Sequence, residues 1–263
     1  MFRALNTAAS GMVAQQLNLD NIANNLANAS TVGFHSRRLQ FQDLLYQSLV
    51  TPGAAATQQT TYSTGLQIGL GSRSSASEMM QTQGDLTETD NPLDIAIQGN
   101  GFFQIQLPTG ELAYTRSGTF QLDNAGAIVT ASGNLLQPPI TIPNNALSVT
   151  IGSDGTVSVT LPNQQQATQI GTIQLALFPN PGGLNSVGSN LYLPTTASGD
   201  AVLGTPGGNE GLGTLQQGFQ EQSNVNVVSE FVAMILAQRA YESNSKVAQA
   251  ADQMFQDVNS MSR

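Results

Sequence analysis

The chain has no cysteine, no tryptophan and a single histidine, and only 8 of its 263 residues are lysine or arginine. Without cysteine there is no disulfide framework, no thiol nucleophile and no thiolate-held metal, and the redox compartment is left open. One histidine, His35, cannot supply a histidine pair to a metal. It reads as a surface residue just past a helix end, beside Arg37 and Arg38. Those two arginines are the only basic cluster, and the formal net charge is -9. A surface that follows a phosphate backbone needs many more cations, so nucleic acid is not a partner. No apolar run approaches the roughly eighteen residues of a membrane helix. The first residues also lack the apolar block of a cleaved signal peptide.

The motifs of catalysis are missing as well. There is no G-x-S-x-G, P-loop or HExxH segment. Gly99-Asn100-Gly101 has the first half of a nucleotide loop but is followed by strand-forming residues, so it reads as a hairpin turn. Ser117 has no histidine to activate it. Asp85, Glu88, Asp90 and Asp94 are clustered, but their spacing is not that of a calcium loop. With Pro92 among them they read as a solvated loop. No catalytic, cofactor-binding or metal-ligating residue is assigned, and nothing supports an enzyme.

What is present is periodicity at both ends. Leu5, Met12, Leu19 and Leu26 recur every seven residues, with Ala8, Ile22 and Ala29 at the companion position. Gly33 stands where this seam stops, a natural helix end. Asparagine is a poor helix former. Yet Asn18, Asn21, Asn25 and Asn28 line one face of this helix. At the other end Val227, Met234, Tyr241, Ala248 and Phe255 are again seven apart. Phe231, Ile235, Ala251 and Val258 widen that stripe, and Asn224 or Asn226 can cap its start. Two long seams at opposite ends of one chain are expected to pair with each other.

The middle is different. Phe103, Ile105 and Leu107 alternate, as do Ile173, Leu175 and Leu177. Turn signals at Asn100-Gly101, Pro108-Thr109-Gly110, Asn124-Ala125-Gly126 and Asp154-Gly155 separate such runs. The expected fold class is α+β: paired N- and C-terminal helices, coiled-coil-like, with an inserted and mostly antiparallel β domain. The expected boundaries are 1–45 for the N-terminal helix, 46–75 for an extended connector, 76–220 for the β body and 221–263 for the C-terminal helix. The connector, with Pro52, Gln58, Gln59, Thr60 and Tyr62, has little core-forming content.

Certain segments carry a resemblance. "AASGMVAQQLNLDNIANNLANASTVGF" is similar to the N-terminal motif of the bacterial flagellar rod and hook family, and "SNVNVVSEFVAMILAQRAYESNSKVAQAADQM" to its C-terminal motif. "LDIAIQGNGFFQIQLPTGELAYTRSGTFQLDNAGAIVTASGNLLQPPITIP" resembles the body of the family's distal rod members. "YQSLVTPGAAATQQTTYSTGLQIGLGSR" resembles their linker. His35 departs from the lysine common in the family after Gly-Phe.

The resemblance implies a structural protein that polymerises into a hollow helical rod across the periplasm. Such a rod passes motor torque to the hook and lets exported subunits through. Implied partners are further copies of the chain, proximal rod proteins, the hook protein, the surrounding ring proteins and the flagellar type III export apparatus. No cofactor is implied. The implied assembly interface comprises Leu5, Met12, Leu19, Asn21, Ile22, Asn25, Leu26, Asn28, Val227, Phe231, Met234, Ile235, Tyr241, Ala248 and Phe255. In that tube the asparagines would meet neighbouring subunits and fix axial register, and the connector would stiffen the rod. A proximal rod or hook subunit is the alternative within the family. A secreted β-rich adhesin is the alternative outside it.

Overall fold

The structure is a computed structural model and describes residues 2–53, 63–162, 166–208 and 211–261. The chain divides into two compact units. Unit 1 is Met1–Ala27, Arg37–Glu78 and Asn226–Arg263, and unit 2 is Asn28–Ser36 and Met79–Val225. The chain therefore passes between units four times.

Unit 1 begins with α1, Phe2–Ala27. The helix stops well before residue 45. Thr31 and Val32 are β-branched, and Gly33 has a φ of +69° that L side chains rarely adopt. The chain then becomes extended as β1, Arg37–Asp43, followed by β2, Tyr46–Val50. β3, Leu66–Gly69, pairs antiparallel with β2. β4, Ser72–Met79, pairs with β1. The stretch expected to be an extended connector thus holds both strands of a hairpin. α2, Val227–Met261, completes the unit and packs along α1. Asn226 caps it, its side-chain Oδ1 accepting the Ser229 N–H at 3.1 Å.

Unit 2 is built from antiparallel strands. The main sheet has nine, with neighbours in the order Asn185–Gly188, Leu191–Leu193, Leu112–Thr115, Phe102–Gln106, Leu135–Gln137, Ile128–Thr130 and Phe120–Leu122. Leu175–Leu177 bridges Phe102–Gln106 and Val202–Gly204. A three-stranded sheet joins Ser148–Ile151, Thr156–Thr160 and Thr168–Thr172. Three of the turn signals close hairpins: at Pro108–Gly110, Asn124–Gly126 and Asp154–Gly155. The Gly99–Gly101 turn does not. It joins Ile95–Gln98, which pairs with Thr214–Gln217, to Phe102–Gln106 in the main sheet. Its glycines have φ of +108° and +137°, which carry the chain from one sheet to the other.

The core of this unit is dense. Ile95, Ile97, Phe103, Ile105, Leu136, Val157, Val159, Ile173 and Leu175 are fully buried. Phe103 and Phe120 meet edge to face at 5.1 Å and 89°. The alternation read in Phe102–Gln106 is incomplete because both of its faces are covered, Phe102 lying against Phe178 and Tyr192. The second alternating run breaks at Gln174 into two strands of different sheets.

Gly33 tests this account. A Cβ there would lie 2.7 Å from the Ser117 nitrogen and 2.9 Å from the Arg116 carbonyl carbon, on a backbone already at positive φ. Gly33→Ala should therefore destabilise the protein by about 2 kcal/mol, a combined strain and crowding effect. Thermal denaturation of the variant measures it. An unchanged Tm would contradict this packing.

Candidate assembly interface

α1 and α2 run antiparallel, because Gly11 lies beside Asn244 and Asn25 beside Glu230. Moving fourteen residues along one helix moves the contact fourteen back along the other. Small residues allow close approach. A Cβ at Gly11 would sit 2.8 Å from the Asn244 amide nitrogen, and the buried side chains of the pair are Ala8, Ala14, Ile22, Asn25, Ala237 and Ala251. Leu5, Met12, Leu19, Leu26, Met234, Ala248 and Phe255 are half-buried. The seam of α1 therefore lies on the packed side. On α2 the packed stripe is Glu230, Ala237, Asn244 and Ala251 beside Met234, Tyr241, Ala248 and Phe255, with Tyr241 still 39% exposed.

The remaining α2 positions face away. Val227, Val228, Phe231, Val232, Ile235, Leu236, Val247, Met254, Val258 and Met261 are exposed. At 100° per residue Val228, Phe231, Val232, Ile235 and Leu236 form an apolar patch away from the packed stripe over the first turns; Arg239, Glu242, Ser243 and Lys246 follow on that side before Val247, Met254, Val258 and Met261. Phe231 and Ile235, expected to widen the seam, lie on this second face and are 49% and 51% exposed. α2 is also longer than α1, 35 residues against 26. With Asn25 beside Glu230, the last two turns of α2 run past the start of α1.

The asparagines have partners inside the chain. Asn25 is 2% exposed. Its Oδ1 accepts the Arg37 N–H at 2.9 Å and its Nδ2 donates to the Arg37 carbonyl at 2.9 Å. A side-chain amide here pairs with β1 as a neighbouring strand would. Asn21 donates to the same carbonyl at 2.7 Å, and Asn25 also reaches the Glu230 carboxylate at 3.4 Å. Asn28 is not on the helix at all. It lies past its end, in unit 2, and accepts the Thr31 hydroxyl at 3.1 Å. Asn21 and Asn25 thus fasten β1 to α1, which accounts for them without a neighbouring subunit.

The β2–β3 hairpin adds a second apolar surface to unit 1. Leu66 and Ile68 alternate on β3, and Leu70 continues the alternation. All three are exposed, as are Leu45, Tyr46 and Leu49. Pro52 lies in the turn that follows β2. Gln58, Gln59, Thr60 and Tyr62 lie outside the described residues.

Unit 2 contains a buried ionic cluster that the sequence reading missed. His35 is 5% exposed, not at the surface. Its Nδ1–H donates to the Met80 carbonyl at 2.9 Å, and its Nε2 lies 3.5 Å from Glu221 Oε1. Arg116 Nε donates to Glu221 Oε2 at 2.5 Å. The rest of that guanidinium donates to the carbonyls of Gly101, Ile97 and Gly99. The Glu221 backbone carbonyl takes the Gly33 N–H at 2.7 Å. Asn224, a possible helix cap in the sequence, instead accepts the Ser36 N–H and donates to Met80 and Thr82 carbonyls. Segments 33–36, 80–84 and 221–224 are thereby stitched together. One signal was legible: Arg116 is the only lysine or arginine between Arg73 and Arg239. Asp94, read as part of a solvated loop, is also buried, accepting from Thr89, Asn91 and Gln220, whereas Asp85, Glu88 and Asp90 are exposed.

Burial alone would raise the Glu221 carboxyl's pKa, but the His35 and Arg116 contacts and the Gly84 N–H outweigh it and hold it below its ordinary range. A carboxyl depressed on folding adds stability that is complete above its unfolded pKa of about 4.3. That stability is lost as pH falls further, through the folded value.

Three family descriptions match the chain in order. Residues 5–35 match "Flagella basal body rod protein", 96–159 match "Flagellar hook protein FlgE/F/G D1 domain", and 216–261 match "Flagellar basal body rod FlgEFG protein C-terminal". These place it in the class of rod and hook proteins of the flagellar axis. A flagellar basal-body rod protein FlgG of Caulobacter vibrioides is 51% identical over 260 residues, covering 98% of this chain and 99% of that one. FlgG of Borreliella burgdorferi is 44% identical and FlgG of Bacillus subtilis 40%, each match covering 100% of both chains. The chain belongs to the FlgG family of flagellar basal-body rod proteins.

The cluster gives a sharp expectation. Arg116→Met leaves a buried carboxylate without its cation and should cost about 3–5 kcal/mol at neutral pH. Adding Glu221→Gln should recover part of that loss. Urea denaturation of both variants at pH 7 and pH 4 measures it, and the Arg116→Met deficit should shrink at pH 4, where Glu221 can take up a proton.

Proposed function

We propose that this chain is the structural subunit of the distal flagellar rod, polymerising through unit 1 into a hollow drive shaft that carries torque to the hook. The observation that carries this reading is the second apolar face of α2. One face is satisfied by α1. The other holds Val228, Phe231, Val232, Ile235, Leu236, Met254 and Val258 in the open. Apolar area of that extent on one helix belongs to an interface. A second copy brings the same face, and an axial stack of copies covers it along its whole length. Helical ends that are unfinished in one subunit fit a protein that reaches its site through the type III export apparatus and is completed on assembly. In this reading the rod spans the periplasm between proximal rod proteins and the hook, inside the ring proteins. Leu5, Met12, Leu19, Ile22, Leu26, Met234, Tyr241, Ala248 and Phe255 act within the subunit, shaping the pair. Val227, Phe231 and Ile235 act between subunits.

The connector has its own part. A two-stranded ribbon with an exposed apolar side is marginal by itself. Leu66, Ile68 and Leu70, with Leu45 and Leu49, are completed by docking on a neighbouring copy. That contact adds a restraint against sliding, which a straight shaft needs and a bending hook must lack.

Phe231→Asp with Ile235→Asp tests the reading. Both side chains are exposed, so the soluble subunit should keep its stability within about 0.5 kcal/mol. Rods in purified basal bodies should nevertheless be short or missing by electron microscopy, and the cells should not swim. Full-length rods with normal swimming would sink the proposed interface. Replacing residues 51–64 by a two-residue turn tests the connector: curved rods are expected, and straight rods of unchanged stiffness would reduce it to a spacer.

A further inference from the structure

The charge of this chain is divided unevenly between its two units. Unit 1 carries seven of the eight lysines and arginines, and seven carboxylates, so it is balanced. Unit 2 carries ten carboxylates and one arginine, so the whole formal charge of -9 resides there. That single cation, Arg116, is 4% exposed and committed to Glu221 and three carbonyls. The remaining member of its cluster, His35, is buried as well. Among the described residues the surface of unit 2 therefore offers Asp85, Glu88, Asp90, Glu111, Asp123, Asp154 and Asp200 and no exposed lysine or arginine. Such a surface repels its own copies at every orientation, since no face presents a cation to another's carboxylate. Unit 1 has the reverse character: neutral overall and apolar on exposed faces.

We propose that unit 2 is an electrostatic brake on self-association. Repulsion between unit 2 surfaces opposes the apolar attraction between unit 1 surfaces, so free subunits stay apart at low ionic strength. Copies associate once dissolved cations screen the field. This rests on the homopolymer reading above and adds a control to it: the threshold concentration for assembly falls as salt rises, and unit 2 carboxylates set the slope. The Debye length shortens from roughly 20–30 Å near 0.01–0.02 M salt to about 8 Å near 0.15 M, so the effect is concentrated in that range.

The test uses the full chain. Glu88, Asp90, Glu111 and Asp200 are exposed and make no side-chain hydrogen bond recorded in the structure, so Glu88→Gln, Asp90→Asn, Glu111→Gln and Asp200→Asn together lower the charge of unit 2 without removing a structural contact. A control variant, Asp43→Asn, Glu242→Gln, Arg73→Gln and Lys246→Gln, removes as many charges from unit 1 and leaves it balanced. Static light scattering gives the second virial coefficient of the dilute protein, and sedimentation gives the polymerisation threshold, each from about 20 to 150 mM NaCl. For the native chain the coefficient should be positive at low salt and collapse with added salt, and the threshold should fall by at least threefold, an order-of-magnitude expectation from screening. The unit 2 variant should assemble at low salt with a slope less than half the native one, whereas the unit 1 variant should keep the native slope. A flat virial coefficient, equal slopes for the native chain and the unit 2 variant, or the same loss of slope in both variants overturns the proposal. No polymer at any salt, with the virial coefficient falling as expected, overturns the homopolymer reading instead and leaves the repulsion supported.

Discussion

A helix whose first turns are apolar on two sides cannot be completed by a single partner there, and most of what is unusual here follows from α2 being such a helix. α1 covers one face, with alanines and Gly11 bringing the two backbones close. The other face stays in water in the single chain. Burying an apolar side chain of the size of Phe231 or Ile235 is worth about 1.5–3 kcal/mol, so several together form a strong drive to associate. Unit 2 exposes apolar side chains too, Leu147 and Val187 among them, but none of them lies on a long helix. Its core fills both sides of its central strands, and its buried Arg116, Glu221 and Asp94 side chains are hydrogen-bonded within the unit.

The asparagines of α1 show how a locally poor choice becomes a good one. In an isolated helix, Asn21 and Asn25 cost helical propensity. In this fold they supply to Arg37 the donor and acceptor that a neighbouring strand would supply. An apolar residue in their place would remove these hydrogen bonds to the Arg37 backbone. The same logic governs Arg116, whose guanidinium satisfies three carbonyls around the Gly99–Gly101 turn. The Ile97 carbonyl also accepts from the Gln83 amide, whereas the Gly99 and Gly101 carbonyls at the turn take Arg116.

The two helices, the antiparallel body and three of its hairpin turns were legible in the sequence, because each rests on a local signal: a seven-residue period or a turn dipeptide. What was hidden depends on contacts distant in sequence. Periodicity placed Met234, Tyr241, Ala248 and Phe255 on one stripe of α2. It could not tell that Phe231 and Ile235 belong to the opposite side, since both sides are apolar and only the partner decides between them. His35 looked like a surface residue because its cover, Met80 and Glu221, comes from positions 45 and 186 residues away. The Gly99–Gly101 turn looked like a hairpin because the sequence does not say which strands pair. Asn28 looked helical because the heptad continues past Ala27, whereas the chain is turned by Thr31, Val32 and Gly33.

Placement of charge then becomes part of the same design. A unit whose exposed surface is apolar and neutral would, alone, aggregate without geometry, since apolar attraction is not directional. Coupling it to a unit that is anionic all round changes the balance for every encounter. A pair misaligned so that two unit 2 surfaces face each other gains partial apolar contact and meets their repulsion. In the proposed assembly a seated copy covers more of the exposed apolar residues of α2 than a misaligned one against the same repulsion. The difference between those two sums is what selects the seated arrangement, and it is largest when the repulsive unit has no exposed cation that a wrong contact could exploit. The single arginine of unit 2 lies where it satisfies this condition, in the interior, ion-paired, with its remaining hydrogen bonds given to the backbone.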